Sequence, residues 1–97
     1  MEIKRIPTSK IKPAAYNPRK DLQAEDPEYQ KLKRSIDEFN CVEPLIWNKR
    51  TSNLVGGHQR FKVLKAKGAE KVLCSVVDLS IEKEKALNIA LNKISGQ

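Results

Sequence analysis

Apolar and polar positions change their period several times along the 97 residues, and each change marks an element. Met1 to Pro7 carries Ile3 and Ile6 in a short β-prone run that Pro7 limits, and Thr8 or Ser9 is then placed to cap a single helical turn. From Pro13 to Glu25 (PAAYNPRKDLQAE) two prolines and Asn17 interrupt any period, which predicts an extended surface loop without regular hydrogen bonding. Asp26 followed by Pro27 is a helix start, because the aspartate oxygen accepts from an amide of the first turn and proline suits the first helical position. Tyr29, Leu32, Ile36 and Phe39 follow at helical spacing as one narrow apolar stripe on a charged helix that Asn40 ends.

The second half is denser in apolar residues. Glu43 to Arg50 (EPLIWNKR) reads as a strand, Thr51, Ser52 and Asn53 as a turn, and Leu54-Val55 as the returning strand of a hairpin. LVGGHQRFKVLKAKG, residues 54–68, then passes through two glycines into a basic helix, with Gly68 as its C-terminal cap and Lys65 and Lys67 in its last turn. Val72 to Leu79 (VLCSVVDL) is so continuously apolar that burial on both faces, in the middle of a sheet, is expected. Ser80 caps a last helix whose first turns hold Glu82 and Glu84, where acid is favoured. Ala86, Leu87, Ala90, Leu91 and Ile94 form its expected apolar face. Asn88 and Asn92 lie on the other side, near Lys85, and either hold a ligand together or meet water. The order predicts an α+β fold, a small mixed β-sheet with about three helices packed on it, in one domain over 1–97. Nothing anchors the last helix beyond Ile94, so a piece of a longer chain is expected.

Composition narrows the partners. Apolar residues make up 39% and charged residues 32%, enough for one modest core. A formal charge of +7 favours polyanions, although lysine excess also serves plain solubility. Cys41 and Cys74 are too few and too far apart for a disulfide framework or zinc site. Without a signal peptide or a long apolar stretch, a cytoplasmic setting is expected.

The chemistry concentrates at the glycines. Gly56 and Gly57 permit backbone angles closed to other residues, and the N–H groups of the following helix point back at the same space. Backbone amides and the positive end of the helix dipole there make a seat for phosphate or carboxylate. Along this helix His58, Lys62 and Lys65 fall on one polar face, Phe61 and Leu64 fall opposite, and Val63 lies at the edge. Arg60 falls inside the apolar arc, where a guanidinium either snorkels to water or needs a carboxylate such as Asp78 or a glutamate, backbone carbonyls, or a bound anion. His58 is the sole histidine, with no serine or cysteine nucleophile beside it in sequence. In the proline-rich loop Tyr16, Arg19 and Lys20 either contact a base or phosphate or form a solvated basic loop packed by one tyrosine.

Taken together, strand, NPRK loop, apolar helix, hairpin, LVGGHQRFKVLKAKG, strand and closing ALNIALNKI resemble the ParB N-terminal (ParB/sulfiredoxin) family over nearly the whole chain. In detail they look like the phage and mobile-element members linked to DNA methyltransferases. The resemblance implies that Gly56, Gly57, His58, Gln59 and Arg60 form the phosphate-binding signature and that Asn17, Pro18 and Arg19 belong to the first motif. It further implies that Asn92 matches an asparagine of the last motif, and that CTP or another nucleotide is bound with magnesium. DNA is the implied partner, with Lys20, Lys62 and Lys65 as candidate contacts, and a DNA methyltransferase is an implied fused or neighbouring one. The label "ParB-like nuclease domain" adds metal-dependent nuclease or CTP hydrolysis as an alternative, and a structural adaptor for a methyltransferase as another. His58 stands where the family's GERR has glutamate, and Leu91 where the later motif is acidic, so little or no hydrolysis is expected. Sulfiredoxins carry their catalytic cysteine where this chain has His58, which argues against sulfur-reductase chemistry.

Overall fold

The computed structural model describes residues 2–16, 25–39 and 43–95, with side chains as far as Leu91. In chain order these are β1 (Glu2–Pro7), a 3-10 turn (Thr8–Lys10), β2 (Lys12–Pro13), α1 (Pro27–Phe39), β3 (Leu45–Asn48), β4 (Asn53–Gly56), α2 (His58–Ala66), β5 (Lys71–Val77) and α3 (Ile81–Ser95). The five strands form one mixed sheet in the order β1-β5-β3-β4-β2. β1 runs antiparallel to β5 and β3 antiparallel to β4, while β5–β3 and β4–β2 are parallel. This is the α+β arrangement that the periodicities predict.

The register sorts the strands into two faces. Ile6, Leu45, Trp47, Val72, Cys74 and Val76 point to one face and form the main core with Ile11, Leu54 and Phe61. A second cluster, Tyr29, Ile36 and Val63 with Leu32 and Leu64 beside it, joins α1 to α2. Val63 is therefore fully buried and not at the edge of its helix, because α1 closes over that side. Phe39 departs the other way. It is the last residue of α1, beyond the contact with α2, and stays 62% exposed.

β5 lies inside the sheet between β1 and β3, with β3 as the middle strand, and it is not buried on both faces. Val72, Cys74 and Val76 are inside, whereas Leu73 and Lys71 are exposed and Ser75 and Val77 half-buried. The helix on that second face, α3, lies along β4 and covers Gly56 with Leu91, leaving the β5 side open. Pro13, placed by sequence at the start of a loop, and Lys12 before it pair in parallel with Leu54 and Asn53. Thr8 caps nothing: the turn follows Pro7, and the Thr8 hydroxyl lies 3.2 Å from the carbonyls of both Ala69 and Glu70.

Three expected boundaries hold. Asp26 precedes α1 and its carbonyl accepts the Gln30 amide at 3.0 Å. Ser80 caps α3, with the Lys83 amide 3.4 Å from its hydroxyl. Gly68, at φ 83°, follows α2; its amide reaches the Lys65 carbonyl and that of Ala69 the Leu64 carbonyl, the double bond of a Schellman end. Lys67 caps α2 and pairs with Asp37 of α1, and that hydrogen bond holds the Asp37 carboxyl below its usual range. Among the described residues no helix is long and apolar enough to cross a membrane.

Candidate functional site

β4 ends at Gly56, and Gly57 turns the chain into α2 as a left-handed N-cap at φ 83°, ψ 29°. The first intrahelical bond joins the Phe61 amide to the Gly57 carbonyl at 2.9 Å, so the amides of the preceding turn project toward the glycines. Both glycines are buried, and both approach other groups closely. A β-carbon on Gly56 would stand 3.0 Å from Leu91 Cδ1, and one on Gly57 would stand 2.6 Å from Leu45 Cδ2 and 2.8 Å from Arg60 Nη2.

Arg60 is turned inward, as its place on the helical arc predicts. Its side chain is only 16% exposed and its guanidinium lies over the Gly57 α-carbon. The groups answering its charge are distant: Glu43 Oε2 at 3.7 Å from Nη1, on a side chain that is 68% exposed, and the Pro44 carbonyl at 3.5 Å from Nη2. Its Nε is buried with no hydrogen-bond partner among the described residues. Asp78, the alternative carboxylate, instead accepts from Arg50 Nε at 2.9 Å on the surface. A guanidinium carries five donors in a rigid fork, and among the described residues that fork meets only the Pro44 carbonyl and the Glu43 carboxylate, both at long range.

The other sequence candidates divide. His58 and Gln59 begin α2, and His58 Nε2 lies 3.0 Å from the Leu54 carbonyl. A carbonyl only accepts, so Nε2 carries the proton and that nitrogen is not available as a base. Lys62 is half-buried and Lys65 exposed, its ammonium 5.9 Å from the Phe61 ring. Asn17, Arg19 and Lys20 lie outside the described residues, as do Cys41 and the side chain of Asn92. Cys74 is in the core and not at the glycines. Among the described residues no three His, Cys, Asp or Glu side chains are grouped to hold a metal ion.

Sequence reasoning misplaces the inner face of α3. Ala86 and Ala90 are exposed and Ile89 is 56% exposed, while Glu84 and Asn88 are buried at 0% and 2%. Asn88 donates from Nδ2 to the Val55 carbonyl at 3.0 Å. The Glu84 carboxylate takes Asn48 Nδ2 at 2.7 Å and the Thr51 hydroxyl on Oε1, and Asn53 Nδ2 at 3.0 Å and the Tyr16 hydroxyl at 2.5 Å on Oε2. Burial pushes this carboxyl up, but the four donors together hold it below its usual value. Tyr16, with Lys85 over its ring, answers to the same bond: burial and Glu84 raise its phenol well above the ordinary range. Tyr16 thus ties the segment that follows β2 to α3. The signal for Glu84 was its i, i+4, i+7 alignment with Asn88 and Leu91, opposite the exposed Ala86, Ile89 and Ala90.

The sign of the pH effect follows. A folded-state carboxyl below the unfolded value of about 4.3 contributes stability fully above that pH and loses it as pH falls through the folded value. The denaturant midpoint should therefore drop on acidification below about pH 4, and drop less in Glu84→Gln, which lacks the titrating group.

The left-handed Gly57 at a helix N-terminus, with an inward Arg60 over it, thus sits on a mixed five-stranded sheet of α+β class. The chain belongs to the ParB N-terminal domain family, whose family model matches residues 1–93. It is 29% identical over 89 residues to a probable chromosome-partitioning protein ParB of Campylobacter jejuni, covering 90% of this chain and 31% of that one. The chain thus spans about a third of that relative's length. Among solved structures it is similar to the C-terminally truncated ParB of Caulobacter crescentus in two complexes. With CTP-γ-S the TM-score is 0.75 at 18% identity, covering 100% of this chain and 54% of that one. With the centromeric parS site it is 0.70 at 15%, covering 95% and 49%. The sulfiredoxin of Arabidopsis thaliana matches at 0.71 and 17% identity, covering 90% and 97%.

Proposed function

We propose that this chain is a nucleotide-binding, DNA-associated module of a chromosome-partition or DNA-modification system, which seats a nucleotide's phosphate at the Gly56–Gly57 turn. Arg60 carries the proposal: a guanidinium held over Gly57, its Nε buried without a partner among the described residues, beside the positive end of α2. The donor set suits a phosphate, since amides and a planar fork match anionic oxygens. CTP is the first nucleotide to test, because a Caulobacter ParB of the same fold holds CTP-γ-S. Magnesium would arrive on the phosphates, and Asn17, Arg19 and Asn92 would complete the site as the family resemblance implies. Binding without turnover is the expectation, in keeping with His58 donating its Nε2–H to the Leu54 carbonyl in a hydrogen bond. The nuclease alternative, the methyltransferase link and the adaptor role rest on resemblance alone, and a cytoplasmic setting goes with the partition reading.

Arg60→Ala should weaken CTP binding by about 1.5–3 kcal/mol, the scale of a charge-assisted hydrogen bond, with little loss of stability. Its present partners are distant and half in water, so removing it strands no buried charge. Titration calorimetry with CTP, ATP and pyrophosphate, with and without magnesium, is the measurement, and Lys31→Ala on the exposed side of α1 is the control. Unchanged affinity in a folded Arg60→Ala protein would remove the glycine turn from the binding site.

DNA binding through Lys62, Lys65 and Lys20 should be backbone electrostatics, indifferent to base sequence and steeply weakened by salt. Each lysine that contacts phosphate should, when replaced by alanine, lower the slope of log affinity against log salt by about 1. Binding that does not respond to salt rules this account out.

A further inference from the structure

Along α3 the residues facing the sheet meet successive points of β4. Glu84 takes the Asn53 amide, Asn88 donates to the Val55 carbonyl, and Leu91 packs where a Gly56 side chain would stand. The helix therefore runs beside the strand in the strand's own direction, and its last contact forms a wall of the glycine turn. Apolar contacts tolerate sliding and rolling, but hydrogen bonds of fixed geometry do not. The axial position of α3 is thus set by its polar pins, Glu84 and Asn88.

Glu84 is the pin held from most sides, and two of its donors cannot be reversed cheaply. The Asn48 amide is locked: its Oδ1 accepts from the Leu79 amide at 3.0 Å and the Arg50 amide at 3.2 Å, and its Nδ2 also donates to the Leu79 carbonyl at 2.9 Å. The position of Oε1 must therefore hold an acceptor. At Oε2 the Tyr16 hydroxyl can turn to accept, but Asn53 must flip its amide to do the same. A glutamine at 84 fills this site only by rearranging Asn53 and surrendering the charge.

We infer that Glu84 is a positioning residue for the glycine seat. Its carboxylate fixes α3 on β4 and so fixes Leu91 over Gly56, seven residues and about 10 Å along the helix. This rests on the anion-seat reading of Gly56 and Gly57 and adds to it a residue that touches neither phosphate nor turn.

The test uses the full chain labelled with nitrogen-15, as wild type, Glu84→Gln, Tyr16→Phe and Glu82→Gln. Glu84→Gln should move the Gly56 and Gly57 amide resonances and lower affinity for CTP with magnesium at least about fivefold, the lower end of usual site-to-site coupling. Tyr16→Phe, which removes one of the four donors and leaves the carboxylate, should move the same resonances by less. Glu82→Gln, an exposed charge in the same turn, should move neither resonances nor affinity. Unmoved glycine resonances in folded Glu84→Gln overturn the inference, as do unmoved ones in Tyr16→Phe if Glu84→Gln fails to fold. Moved resonances with unchanged CTP affinity overturn it too. If the wild type binds no CTP yet the resonances still move in Glu84→Gln, the positioning role stands and the anion reading falls.

Discussion

Glu84→Ala should cost about 3–5 kcal/mol, a large share of what a domain of this size has. The alanine leaves four donors facing a cavity with no exposed surface. The Asn48 amide keeps the Leu79 carbonyl, whereas Asn53 Nδ2, the Thr51 hydroxyl and the Tyr16 hydroxyl each lose the acceptor described for them. Each buried donor left unsatisfied costs about 1–3 kcal/mol, and water recovers part of that at the half-buried Tyr16, Thr51 and Asn53. Glu84→Gln, which keeps volume and one acceptor, should cost about 1–2 kcal/mol. Urea unfolding of the two variants at pH 7 provides the comparison. Equal losses would mean that the site needs only volume and not a carboxylate.

Gly57→Ala should be the most damaging single methyl in the chain, at about 2–5 kcal/mol. Part is backbone strain, about 1–2 kcal/mol for a non-glycine residue in the left-handed region. The rest is space: the new carbon would sit 2.6 Å from Leu45 Cδ2, on a side chain with no exposed surface, and core overpacking costs about 1–3 kcal/mol. Gly68→Ala separates the two terms, because Gly68 has the same φ of 83° and nothing within 4 Å of its added carbon. It should cost only the strain. The Gly57 variant should also lose anion affinity, since its methyl displaces Arg60 Nη2 from 2.8 Å. Melting curves for both alanines, with CTP titration of whichever stays folded, decide this. A Gly57→Ala protein as stable as Gly68→Ala would show that Leu45 and Arg60 give way easily.

The elements were legible because each has a local cause: the Asp26-Pro27 start, the Ser80 cap, the Gly68 stop, and the change of period at the glycines. Arg60 was legible for the same reason, since an angle on a helical wheel already commits it to one side. The Glu84 site was hidden because each member has a sufficient local explanation. Acid belongs in a first helical turn, and Asn48, Thr51 and Asn53 belong near a hairpin turn. Only the tertiary arrangement makes these unremarkable residues share one carboxylate. The exposed outer face of α3 follows from that arrangement, because the inner face was taken by polar groups. The strand at residues 12 and 13 was hidden by its two-residue length and its partner 41 positions away.

The pairing of β1 with β5 has a consequence in time. Glu2 to Pro7 leave a ribosome about 70 positions ahead of their partners, Lys71 to Val76. At about 5–20 residues per second the first strand waits on the order of 4–14 s for its mate to be made. During that wait its backbone donors and acceptors have water for company, and Glu2, Lys4 and Arg5 place charges along a strand that would otherwise invite a neighbouring nascent chain. The same separation makes β1 the costliest loop to close, so refolding should zip the hairpin and α2 first and add the amino-terminal strand last.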